Sequence, residues 1–391
     1  MTHRMLSRRE MLRQAGLVTV GLAATAVPGW PKGWFRDTET IVPFTDIPPG
    51  FSTLRSEEPE RLPGENLVAQ DLRDLESWIT PSEDFFAVSH YGMPELDGAA
   101  YRLDLFGLLD RPLSLSLDDL RSRERVERTT VFECSGNSRV RLHGMVGNAT
   151  WTGADLNTIL DEVGPTSGTD HVHFWAADTG VEEIRGAEVE QNFARSMSLA
   201  DVRESRPILA YEMNGEPLPV VHGFPVRLIV PGWYGIAQIK WLERIELSDR
   251  ALMTRFMARD YVTLIEREVD GRREWIETSV TRQRVKSAIA RVTREGDRFT
   301  IFGAAWTDGT PLDRVDISID DGEWEPAALD SRGDDYTWTF FTFETTGLSP
   351  GEHTIVSRAT DARGRTQPDD LSMKRTRWEN NELFPRTIEV S

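Results

Sequence analysis

The sequence predicts an α+β chain, a mixed domain of strands and short helices followed by an all-β, immunoglobulin-like sandwich. Three observations carry that expectation. Residues 75–265 alternate strand patterns with short capped helices, whereas residues 285–391 hold only short strands separated by turn signals. A chain of 391 residues is long enough for two cores. Its single cysteine, Cys134, excludes an internal disulfide, a CxxC zinc site and a CxxCH haem attachment, so apolar packing must hold both cores.

Taken in order, residues 1–28 carry paired Arg8 and Arg9 ahead of a modest apolar stretch, Ala15 to Ala26, that ends in small residues. The stretch is too short for a comfortable membrane span. It resembles a twin-arginine signal, which implies export of the folded chain to a periplasmic or extracytoplasmic site. Residues 29–74, rich in Pro, Gly and acids, read as an arm or linker. In the mixed domain "YRLDLFGLL" alternates as a strand, Ser116 caps a helix to Arg123, and Thr150 to Gly164 reads as a second helix ending at its glycine. Ile208 to Pro219 is a hairpin turning at Asn214-Gly215, and "FPVRLIVPG" and "QIKWLERIEL" follow as strands. Residues 266–284 are a charged linker. The sandwich then begins, with strands at Arg298–Trp306, Arg314–Asp320, Tyr336–Glu344 and His353–Asp361.

A formal charge of -19 argues against nucleic acid as a partner. Any anionic ligand must meet a local arginine cluster working against that field. Among the 45 basic residues only Lys32, Lys240, Lys286 and Lys374 are lysines, a bias that fits either a salt-rich habitat or an arginine-favouring GC-rich genome.

Cys134 ends the apolar run Thr130-Val131-Phe132 just where "CSGN" turns the chain, and loops that end strands commonly carry working residues. A buried inert thiol and a cysteine hydrolase using His143 or His222 as base are alternatives. His171 and His173 share a strand face, but two ligands without a third read as structural.

The segments "FECSGNSR" and "YEMNGEPLPVVHGFPVRLIVPGWYGIAQIKW", with a β-sandwich behind, resemble the sulfite oxidase family of molybdenum enzymes from about Trp78 onward. The resemblance implies a sulfite-oxidase-like molybdopterin domain at 75–265 and a dimerisation sandwich at 285–391, hence a homodimer. It implies molybdenum bound by the Cys134 thiolate and the two sulfurs of a pyranopterin dithiolene, a soft ligand set suited to that metal. It implies that Ser89, His90, Asp178, His222, Arg227, Gln238, Ile239 and Lys240 hold the cofactor, and that Arg139, Tyr261 and Arg386 face a small sulfur-containing substrate beside Cys134. With no haem in this chain, electrons should leave to an external cytochrome or copper protein.

The pattern breaks at Val88, where sulfite-oxidising members carry an arginine, and the segment after Cys134 lacks the tryptophan expected in the pocket wall. Arg141 is a candidate replacement for the missing cation. Three functions stay open: oxidation of sulfite or a related oxyanion, oxygen-atom transfer with another substrate such as a sulfoxide at a site lined by Val88, Tyr91 and Met93, and a non-catalytic exported binding protein.

Overall fold

The computed structural model describes residues 39–47, 66–139, 142–330, 333–369 and 378–391. The twin-arginine segment, Lys32, Arg141 and Lys374 lie outside them. The described residues belong to one unit, Arg36–Ser391. Among them no helix is long and apolar enough to cross a membrane.

The mixed domain is built on two five-stranded sheets. One orders Glu216–Pro217, Ile208–Met213, Val146–Asp155 and Val126–Glu133, with Arg227–Ile229 also pairing Ile208–Met213. The other orders Leu113–Leu115, Leu103–Gly107, Leu242–Ser248, His171–Ile184 and Ala187–Ser198. The pairing of Leu242–Ser248 with Leu103–Gly107 is parallel and the remaining pairings of these sheets are antiparallel. Leu105, Phe174, Leu228, Ile245 and Leu209 meet in one core with the apolar face of the helix Leu156–Val163. Phe85, Phe132 and Trp151 form a second, aromatic core directly beneath Cys134.

The sandwich packs one sheet, Thr40–Val42, Lys286–Glu295, Arg298–Trp306, Thr339–Thr346 and Ala328–Asp330, on another, Glu325–Pro326, Leu312–Ile319, Gly351–Asp361 and Arg386–Val390. Alternate residues of these strands, Ile301, Val315, Ile317, Phe341, Ile355 and Ile388 among them, fill the space between the sheets.

Several local outcomes differ from the sequence reading. Of Thr150 to Gly164, only Leu156–Val163 is helical, because the strand Val146–Asp155 runs on through Thr150, Trp151 and Thr152 to the ladder with Ile208–Met213. Asp155 ends the strand and caps the helix by accepting from the Thr158 N–H, and Gly164 closes it at a φ of 66°. The charged stretch 266–284 is no linker over most of its length. Val262–Val269 pairs with Arg272–Ser279 through a turn at Asp270 and Gly271, whose φ values of 51° and 73° suit a tight hairpin. Much of that hairpin is exposed, so its residues carry little of the apolar alternation that marks a strand. Within residues 29–74, Thr40–Val42 joins the edge of the sandwich beside Lys286–Glu295.

Gly153 faces Ala210 across the ladder at a bulge, and a Cβ there would collide with the Leu209 carbonyl and the Ala210 Cα. Gly153→Ala is therefore expected to destabilise the mixed domain by about 1–3 kcal/mol, as overpacking does. A lowered urea midpoint with an unchanged slope would record it.

Candidate active site

Cys134 sits at the floor of a cavity of about 620 Å3, counting its open mouth, whose lining includes Val88, Ser89, His90, Asp178, His222, Arg227, Lys240 and Tyr261. The strand Val126–Glu133 delivers the thiol, and the Cys134 carbonyl then accepts from Asn137 N–H at 2.9 Å to make the turn. Phe132 beneath it packs on Phe85, Phe86 and Trp151, so the floor is an aromatic slab. Burial pushes the Cys134 thiol up to about 11, with Glu133 adding to the shift and the Gly136 N–H and Lys286 opposing it.

The far wall is cationic. Arg227 donates to the carbonyls of His222 and Gln238 at 2.9 and 3.1 Å and lies over the Trp151 ring, while its buried Nε has no hydrogen-bond partner among the described residues. His222 Nε2–H donates to the Ser82 carbonyl at 2.7 Å, and its buried Nδ1 has no partner among the described residues. Burial, then Arg227, pushes Lys240 down to about 7, and Asp178 opposes that shift. Asp178 is itself pushed up to about 6 by burial, with Lys240 holding it lower than burial alone would. Gln238 lines the cavity but spends its amide on Val230 and Trp233, holding the loop that shapes the wall. Ile239 is buried in the neighbouring core, its side chain outside the cavity lining and its carbonyl bound by Leu228 N–H at 2.8 Å.

On the open side Tyr261 shares a 2.8 Å hydrogen bond with His90 Nε2, and His90 stacks on Phe256 with ring centres 4.8 Å apart. Trp378, which lies in sequence between the sandwich strands Gly351–Asp361 and Arg386–Val390, stacks on Tyr261 at 4.0 Å and reaches Gly136, where an added Cβ would lie 3.1 Å from its ring. A tryptophan 244 residues beyond Cys134 in the chain thus backs Tyr261 and Gly136, outside the cavity lining itself. No local spacing signals it.

Two expected substrate arginines are not brought to the cavity. Arg139 is exposed with its guanidinium over the Phe384 ring at 5.4 Å, and Arg386 is buried against Asp46 at 3.0 Å and stacked on Phe44 at 3.6 Å. Arg386 therefore ties the N-terminal arm to the sandwich. Tyr91 turns its hydroxyl to Glu182 at 2.7 Å and Met93 is exposed, so neither lines the cavity as Val88 does. His173 is taken up by Glu246 and the Arg250 carbonyl, and no group of three His, Cys, Asp or Glu residues among those described could hold a metal ion.

The donor set fits a pyranopterin. The buried Nε–H of Arg227 and the Lys240 ammonium suit a phosphate-bearing tail, the Asp178 carboxyl and the unprotonated His222 Nδ1 can accept N–H bonds, and one thiol offers a soft metal ligand.

Acid should loosen this site in the cofactor-free chain. Burial first, then Arg255 and Lys240, pushes His90 down to about 4; burial, then Arg227, pushes His222 down to about 3. The unfolded imidazoles protonate near 6.5, so below that pH the unfolded chain binds more protons and stability falls with pH. Asp178 acts in the opposite sense below about 6, because its folded carboxyl takes a proton before the unfolded one does. His90→Asn or His222→Asn should each flatten the stability slope between about pH 6 and about pH 4.5 by about 1.4 kcal/mol per unit, read by urea unfolding at stepped pH.

Two family models match the chain: an oxidoreductase molybdopterin binding domain over residues 90–256 and a Mo-co oxidoreductase dimerisation domain over 273–390. Human mitochondrial sulfite oxidase is 33% identical over 76% of this chain and 58% of its own length. The chain thus spans well under two thirds of that relative. Chicken sulfite oxidase is 33% identical over 84% of this chain and 76% of its own length. Among solved structures, the sulfane dehydrogenase SoxCD of Paracoccus pantotrophus has a TM-score of 0.72 at 27% identity, covering 86% of this chain and 90% of that one. With a thiol, a cationic wall and a β-sandwich in the same arrangement of domains that these matches span, the chain belongs to the sulfite oxidase family of molybdopterin-dependent oxidoreductases.

Proposed function

We propose that this protein transfers an oxygen atom to a reduced sulfur centre, sulfite or a related sulfur oxyanion, and hands the electrons to an external one-electron carrier. The observation that carries the reading is the chain's sole thiol at the floor of a cavity whose opposite wall is Arg227, His222, Lys240 and Asp178. Bound there, the molybdenum cofactor supplies the oxygen-atom transfer and accepts two electrons. Cys134 would ligate the metal; Arg227 and Lys240 would neutralise the phosphate tail; Asp178 would accept the pterin N–H groups. Tyr261, held by a neutral His90, orients a substrate oxygen, and Trp378 and Phe256 brace the pair against water. The names of the human and Paracoccus relatives, a sulfite oxidase and a sulfane dehydrogenase, support sulfur as the reacting element.

A second reading, a neutral or bulkier sulfur substrate such as a sulfoxide, is favoured by the position of the arginines. Val88 is neutral, Arg139 lies over Phe384 and Arg386 is bound to Asp46. One cation about 4 Å from an anion is worth on the order of 4 kcal/mol at an effective dielectric near 20, so its absence weighs against a small dianion.

The dimerisation match over 273–390 supports pairing of two copies through the sandwich. Export behind Arg8 and Arg9, outside the described residues, belongs to the same proposal, with the cofactor loaded before translocation.

The test is to express the chain with its N-terminus intact in a molybdopterin-making host and purify it in high salt. Molybdenum content and sulfite-dependent reduction of an artificial one-electron acceptor are then measured together. One molybdenum per chain with turnover, lost to background in Cys134→Ser, is the expected result. Full metal without sulfite turnover, but with sulfoxide-dependent oxidation of a reduced one-electron dye, would favour the second reading, and folded protein without metal would end both.

A further inference from the structure

The residue before Cys134 is a carboxylate buried where the two domains meet. Glu133 and Lys286, each all but inaccessible to solvent, pair at 2.5 Å. The second carboxylate oxygen accepts the Trp306 indole N–H at 3.0 Å, and the Asn137 amide donates to the first at 3.0 Å. Lys286 and Trp306 are direct cross-strand partners on the sandwich. Two neighbouring positions of one β-ladder therefore aim at a single carboxylate in the other domain.

The rest of the turn is tied in the same direction. Gln283 accepts from Glu133 N–H at 3.0 Å and donates to the Val131 carbonyl at 3.2 Å. The Ser135 carbonyl accepts from Glu379 N–H at 2.7 Å, and the Asn137 carbonyl from the Asn380 amide at 3.1 Å. Trp378 lies against Gly136. Every residue from Glu133 to Asn137 except Cys134 itself thus meets a residue from the C-terminal part of the chain. The mixed domain adds the bond from Cys134 N–H to Met145 and those of Asn137 with Met145 and His143.

A buried lysine and glutamate seldom stabilise a core more than apolar residues of the same size would, so their use here calls for a role in specifying geometry. We propose that Lys286, acting through Glu133, is a positioning residue: the sandwich clamps the Cys134 turn and holds the thiol at the cavity floor. The clamp's link to catalysis rests on the reading of Cys134 as the metal ligand.

Because Cys134 is the chain's only cysteine, a thiol reagent reports on it alone. In full-length protein made without cofactor, Lys286→Met should raise the rate of labelling by 5,5′-dithiobis(2-nitrobenzoate) by about tenfold, through local opening of the turn. Glu133→Gln, which keeps the shape and removes the charge, should do the same, and is the variant to use if Lys286→Met does not fold. The double variant, which leaves no orphaned charge, should recover most of the protection. Val315→Ala, in the sandwich core away from the clamp, serves as the control for a comparable loss of Tm and should label at the wild-type rate. In loaded enzyme the Mo(V) resonance should shift for Lys286→Met and not for Val315→Ala. Labelling of Lys286→Met and Glu133→Gln at the wild-type rate, or labelling that follows Tm alike in clamp and control variants, would overturn the proposal. Protection that follows the clamp in a chain binding no molybdenum would uphold the clamp and remove the metal-ligand reading alone.

Discussion

A carboxylate out of reach of water must have every lone pair answered, and Glu133 has its partners drawn from both sides of the domain boundary. Asn137 comes from its own turn, Lys286 and Trp306 from the sandwich. That requirement makes the two domains one mechanical unit at the point where chemistry is placed. A sandwich shifted by a few tenths of an ångström would misalign the pair, and the next residue along the chain is the thiol. The aromatic slab beneath gives the turn a rigid base.

The cavity above it inverts the charge of the molecule. A chain with a formal charge of -19 places a buried Arg227 and a half-buried Lys240 in one wall, with Asp178 the carboxyl that tempers Lys240. Burial lowers the affinity of both cations for their protons, so the site stores unfavourable electrostatics that an anionic ligand would relieve. The acidic exterior matters little here because solvent and salt screen it over short distances. Local geometry, and not net charge, governs what this wall can hold.

Much of this was legible along the chain. The two domains follow from the change of pattern near residue 285, and the hairpin at Asn214-Gly215 follows from a pair that tolerates positive φ, as its values of 53° and 84° bear out. Ser89, His90, Asp178, His222, Arg227, Gln238, Lys240 and Tyr261 do converge with Cys134 around one cavity. What misleads is a residue matched to a family position without its surroundings. Arg139 and Arg386 are the right residue type near the right segments, yet each finds a nearer aromatic face, and Arg386 a nearer carboxylate in the arm. The hairpin Val262–Val269 with Arg272–Ser279 leaves little apolar signal because much of it is solvated, and the apolar spacing of Thr150 to Asp155 mimics a helix because it carries no trace of the strands that pair on either side.

By itself the sequence determined the architecture and, through the family resemblance, most of the side chains that line the cavity, because strand alternation, capping residues and short motifs are local or nearly local properties. It could not determine what packs around the open side of the cavity. Trp378 reaches Tyr261 and Gly136, and Lys286 reaches Glu133, across sequence separations that no periodicity encodes. Such meetings exist only once the two cores have packed, since the burial that makes an ion pair or an aromatic wall consequential is itself a product of the tertiary fold.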